Sequence, residues 1–125
     1  MAAPATTNSR TAKVRELNDL FRQNLVSGVN TSGQPVSGRL MITSGIAALA
    51  AADQLAVLAK VQSFSAFSAD NDPYGEHDFG AFEHAGHKVF WKIDYYAPDL
   101  MHGSDDPADP SVTVRVLTVM LAEEY

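Results

Sequence analysis

Between Ser9 and Leu25 the apolar residues Val14, Leu17, Leu20, Phe21 and Leu25 recur at helical spacing. That spacing predicts a helix with one apolar stripe. Ser9 or Thr11 can cap its start, and Arg15 and Asp19 fall one turn apart on its outer face. All periodicity is lost in "VSGVNTSGQPVSG", whose glycines, proline and small polar residues predict a loop or loose hairpin with a mobile tip at Thr31 to Gln34. "RLMIT" then reads as a short strand with Leu40 and Ile42 on one face. From Leu49 to Phe64 the chain is rich in Ala and Leu, and Leu55, Leu58 and Val61 recur as in a helix. The many alanines imply close approach to a sheet.

The second half changes period. "DFGAFEH" and "KVFWKIDYY" flank "AGH", a hairpin pattern. A two-residue turn at Ala85 and Gly86 sets His84 against His87, Glu83 against Lys88, Phe82 against Val89 and Gly80 against Trp91. Continued further, it sets His77 against Asp94. Period-two alternation then sorts the faces. Phe82, Val89, Trp91, Ile93 and Tyr95 share the helix-covered one, with Gly80 leaving room for the Trp91 ring. Glu83, Lys88, Lys92, Asp94, Tyr96 and His77 share the other, with Phe79 and Phe90. "APDLMHGSDDPADP" is a long polar connection. "SVTVRVLTVMLAEEY" is dense in β-branched residues and reads as a strand buried on both faces, although the preceding "DP" would also suit a helix start. As an edge strand it would pair between chains and give a homodimer. The expected fold is α+β: elements in the order α-β-α-β-β-β, forming an antiparallel sheet of about four strands with two helices packed on one face.

The length, 125 residues, suits one domain. We expect residues 1–9 to be a disordered leader and 10–125 a single domain. The absence of cysteine removes disulfides, thiolate metal sites and cysteine nucleophiles, and fits a cytoplasmic setting. No apolar run is long enough for a membrane span, and "MAAPATTNSR" lacks the layout of a signal peptide. The net charge of −6 is unevenly spread: residues 1–62 carry +3 and residues 63–125 carry −9. Nucleic-acid binding needs a basic footprint, which the second half opposes. A concentrated acidic surface suits a protein partner with a basic surface. The bland alternative is that the acids only keep loops solvated.

Candidate chemistry gathers in "DNDPYGEHDFG", Asp70 to Gly80. Asp70, Asp72, Gly75 and Asp78 fall at EF-hand spacing, but Pro73, Tyr74 and Ala81 stand where that loop needs other residues. Glu76, His77, Asp78 and Asp94 form a candidate acid–base or metal-dependent centre, since a histidine oriented by a carboxylate can act as a base. No helical histidine pair and no nucleophile elbow supports it. His84, His87 and His102 are weak zinc candidates. A structural reading needs no ligand: side-chain turns at Asp70 to Pro73, a positive φ at Gly75, and hydrogen bonds from His77 and Asp78. The acidic-surface reading uses Asp70, Asp72, Tyr74, Asp99, Asp105, Asp106 and Asp109 for binding. No cofactor and no metal is expected.

"DNDPYGEHDFGAF", "FWKIDYY" and "DPADPSVTVRVLTVMLAEEY", with "RELNDLFR" and "GRLMITSGIAAL" before them, resemble domain of unknown function 3768, a small bacterial family often carried on plasmids. The resemblance covers about residues 10–125. Gln34 to Gly38 looks long for it, and Ala50 stands where a proline would often open the helix. It brings no activity, but implies a mobile-element setting. Small acidic proteins there often inhibit host defence complexes, of the anti-restriction or anti-CRISPR type. The expected function is therefore a non-enzymatic binding protein of that kind. The alternative is a small enzyme or metal-dependent module built on the Glu/His/Asp cluster.

Overall fold

Helix α1 spans Ala2–Gln23 and buries Val14, Leu17 and Phe21, three residues of the expected stripe. The computed structural model describes residues 2–25 and 38–125. The expected loop tip at 31–34 lies outside the described residues. The helix begins inside the segment expected to be a disordered leader. Alanine favours helix, and Pro4 sits in the first turn, where its missing N–H costs nothing.

Strand β1 (Gly38–Ile42), the short helix α2 (Ser44–Ala47) and helix α3 (Ala51–Ser63) follow. Then come β2 (Phe79–His84), β3 (His87–Tyr96) and β4 (Val114–Leu121). The expected α+β order holds, with α2 added. On α3 the buried residues are Val57 and Val61, while Leu55, expected in the stripe, is 70% exposed.

The sheet order is β1-β4-β3-β2. β2, β3 and β4 pair antiparallel, but β1 runs parallel to β4. The sheet is therefore mixed rather than purely antiparallel. A strand's alternation looks the same in either pairing, so direction left no trace in the pattern. β4 lies between β1 and β3 and cannot be the intermolecular edge expected of it.

The hairpin register is the expected one from Phe82↔Val89 to His84↔His87, with Gly80 opposite Trp91. Ala85 (φ 50°) and Gly86 (φ 83°) make the turn, with the two positive φ values of a type I′ hairpin. A Cβ on Gly80 would overlap the Trp91 ring. One core holds Phe21, Ile46, Val57, Val61, Val89, Trp91, Ile93, Leu117, Val119 and Leu121. It lies between the three helices and one face of the sheet.

Candidate functional site: an acidic end latched to helix α1

Two buried arginines organise the polar interior, and both occupy positions that periodicity assigns to apolar side chains. Arg22 follows Phe21 in the α1 stripe and is 1% exposed. Arg115 alternates in phase with Leu117 and Val119 on β4 and is fully buried.

Arg22 donates from Nη1 to the carbonyls of Val61 and Gln62, at 2.8 and 3.1 Å. These lie in the last turn of α3, where carbonyls lack helical partners and a cation is favoured. Its Nη2 meets Asp19 Oδ1 at 3.1 Å. The guanidinium also lies over the Phe67 and Trp91 rings, 5.6 and 5.1 Å from their centroids. Burial lowers its pKa, and Asp19 opposes that shift.

Asp19 is shared. Its two oxygens lie 2.9 and 3.1 Å from His77 Nδ1. The imidazole stacks on Phe67 with centroids 3.7 Å apart and the planes 4° from parallel. Asp72, only 9% exposed, accepts the His77 backbone N–H on both oxygens at 3.2 and 3.3 Å. His77 itself has φ 56°, and this breaks the extension of β2 before Phe79. The expected pairing of His77 with Asp94 is therefore wrong. The left-handed residue turns His77 to the helix side, while Asp94 stays on the open face and pairs with Lys92 at 2.8 Å. That hydrogen bond is the main cause of the raised Lys92 pKa.

Arg115 has no carboxylate within ion-pair distance among the described residues. Its Nε donates to Asn18 Oδ1 and its Nη2 to the Pro107 carbonyl, both at 2.6 Å. Asn18 Nδ2 donates to the Glu76 carbonyl and to the Tyr95 hydroxyl, at 2.9 and 2.8 Å. That hydroxyl in turn donates to Glu76 Oε1 at 2.8 Å. Burial pushes the Tyr95 hydroxyl strongly up and keeps it protonated. Burial likewise lowers the Arg115 pKa, with Tyr95 and Glu76 opposing. Asn18 and Arg115 together thus tie the loop before β2 to the loop before β4, and every polar atom of the asparagine side chain is used.

Both acidic loops consequently meet at one end of the sheet, where β2 begins, β3 ends and β4 begins. Arg15 adds a bond to the Gly75 carbonyl at 3.1 Å, and Arg10 meets Asp106 at 2.8 Å. Gly75 carries the positive φ, 71°. Asn71 closes a side-chain turn with the Ser68 N–H and the Ala66 carbonyl. Asp99 accepts the N–H groups of Met101 and His102, and the His102 ring at 2.8 Å. The Met101 N–H is the largest of the contacts that hold its carboxyl below the usual range. Asp109 accepts both the hydroxyl and the N–H of Ser111, with the same effect.

The candidate residues therefore separate. Asp70, Tyr74, Asp99 and Asp105 are exposed, with Tyr74 at 82%. Asp106 and Asp109 are half-buried, and Asp72 points inward. Of the proposed centre, Glu76 and His77 belong to different bonding chains, Asp78 is half-buried, and Asp94 is on the other face. His84 bonds Asp53 at 2.9 Å and His102 bonds Asp99, so the zinc candidates are divided as well. Among the described residues no group of three or more His, Asp or Glu side chains is placed to hold a metal. No described helix is long and apolar enough to cross a membrane.

Asn18, Asp19, Arg22 and Arg115 were missed as partners of the acidic loops. The available signal was their phase: polar residues at the buried positions of an otherwise apolar pattern.

Comparison with known proteins agrees with the resemblance in the sequence. The family model "Protein of unknown function (DUF3768)" matches residues 42–124, from the end of β1 through the turn after β4. No curated protein and no solved structure matches. The matched segment contains both acidic loops and Arg115, and it fills most of the chain: this protein belongs to the DUF3768 family.

Proposed function

We propose that this chain is a non-enzymatic binding protein whose acidic end engages a basic surface of a nucleic-acid-handling protein. The observation that carries this reading is the way the acidic loops are held. Arg15, Asn18 and Arg115 grip the backbone carbonyls of Gly75, Glu76 and Pro107, so the two arginines among them bond the main chain of the loops rather than their carboxylates. Asp70 and Asp105 stay exposed and unpaired among the described residues. Tyr74 and Met101, 82% and 80% exposed, stand on the same two loops as apolar anchors, one of them aromatic, within an acidic field.

A partner that normally binds phosphates presents the complementary charge. Inhibitors of defence nucleases carried by mobile elements are one class of protein that would work this way. The test is a binding assay against purified nucleic-acid-binding proteins, with duplex DNA as competitor. Binding should weaken with salt, be displaced by DNA, and fall when Asp70→Lys and Asp105→Lys are combined. Binding that ignores both salt and the double charge reversal would overturn the proposal.

A further inference from the structure

The outer edge of β1 is the feature that the acidic-end reading leaves unused. Among the described residues β1 closes the sheet on one side and pairs with β4 alone. All of its residues are exposed, among them Leu40 (39%), Met41 (52%) and Ile42 (40%) in succession. An edge strand usually carries a proline, a bulge or inward charge against pairing; β1 carries only Arg39. The opposite edge, β2, is covered in part by Lys60, which donates to the Glu83 carbonyl at 3.1 Å.

The direction of the free backbone groups is fixed. The Thr43 N–H points into the sheet, bonding the Val119 carbonyl at 3.1 Å. Backbone groups alternate sides along a strand, so Arg39 and Met41 also face β4, and Gly38, Leu40 and Ile42 turn their N–H and C=O outward. We propose that this edge docks a second copy of the chain, β1 against β1 antiparallel, with the two-fold axis at Leu40. In that register Leu40 faces Leu40 of the second copy and Gly38 faces its Ile42, so all the outward groups are paired. Leu40 and Ile42 also continue the apolar side of the sheet across the seam.

Charge selects this occupant and this direction. The Arg39 side chain makes no ion pair or hydrogen bond among the described residues. It shares the open face with Met41 and Thr43, and Thr43 Oγ1 donates to Glu124 Oε1 at 2.6 Å. Glu124 is held there by the N–H groups of Gly45 and Leu121 as well, both at 2.9 Å. Antiparallel pairing carries Arg39 of each copy toward Glu124 of the other, and the contact occurs twice by symmetry. It also points the two acidic ends in opposite directions, because Gly38 lies beside Arg115 at the acidic end. A parallel arrangement would crowd those ends together.

A seam of five residues is short, so the dimer should form at micromolar rather than nanomolar concentration. Light scattering across a concentration series should show twice the monomer mass, and Arg39→Glu should weaken association about tenfold. Leu40→Cys gives a direct reading of register, because the chain has no other cysteine. The paired Cα atoms would lie about 5.5 Å apart, within disulfide reach. Oxidation should yield a covalent dimer, and Tyr74→Cys should not. A protein that stays monomeric at millimolar concentration would overturn the proposal. So would a dimer indifferent to Arg39→Glu, or a Leu40→Cys variant that crosslinks no better than Tyr74→Cys.

Discussion

The loop from Phe64 to Asp78 and the loop from Ala97 to Thr113 have similar compositions and opposite constructions. The first turns its chemistry inward. Asp72 and His77 join Asp19 and Arg22 beneath α1, and an aromatic stack covers them. The second keeps its acids near the surface, where Asp99 and Asp109 close local turns. It is anchored from below by Arg115, by the Ser104–Thr113 hydroxyl pair at 2.7 Å, and by the bond from Thr113 to the Asp106 carbonyl. Asp70 apart, which stays exposed, an acid in the first loop is thus mainly a piece of scaffold, and one in the second mainly a piece of surface. Acidic composition alone does not separate the two roles; the partners of each carboxylate do.

Arg115 is where both loops depend on one side chain, so its loss should have the largest effect. Arg115→Met keeps much of the volume and removes both charge-assisted bonds, leaving Asn18 Oδ1 and the Pro107 carbonyl without their donor. We expect a loss of about 3 kcal/mol in denaturant unfolding. A loss below about 1 kcal/mol would mean that the loops are not joined through it.

His77→Ala tests the first loop alone. It removes the stack on Phe67 and the bond to Asp19, and places alanine at a positive φ. The expected cost is about 2 kcal/mol. His77→Asn should cost less, since asparagine tolerates that φ. In the second loop Asp109→Ala should lower the melting midpoint by less than His77→Ala does, because it removes only a local cap. If Asp109→Ala proved the more damaging, the contrast between inward and outward acids would fail.

The sequence made the hairpin legible because two signals agreed there: alternation in both strands and a turn that admits positive φ. Gly80 beside Trp91 followed from that register. The path of His77 did not. Its left-handed backbone is a single-residue event driven by Phe67, Asp19 and Asp72, which lie in other elements, and no local periodicity encodes it. The buried arginines were hidden for a related reason. Arginine on a helix or strand is ordinarily read as surface, and only its phase relative to Phe21 or Leu117 marks it as interior. The parallel pairing of β1 depends on which strand reaches the sheet's edge, a choice made by packing over the whole chain.

Asp78 stands between the two constructions and gives the smallest and most specific test. Its carbonyl continues the ladder by accepting the Ile93 N–H at 2.8 Å, while its carboxyl is half-buried. Burial first, and then the nearby Glu76, push its pKa above the usual carboxylate value. An acid whose pKa is higher in the folded state holds its proton more tightly there than in the unfolded chain. Ionising it therefore costs stability as pH rises from the ordinary carboxylate range through the raised value, and the full cost is present above that. Asp78→Asn should make the protein more stable than the parent at neutral pH, with the difference closing by about pH 3, where both forms are uncharged at this position. Paired denaturant melts across that range measure it. A gain that persists unchanged at low pH would come from the amide's own hydrogen bonds, and a loss at neutral pH would make Asp78 an inward scaffold acid like Asp72.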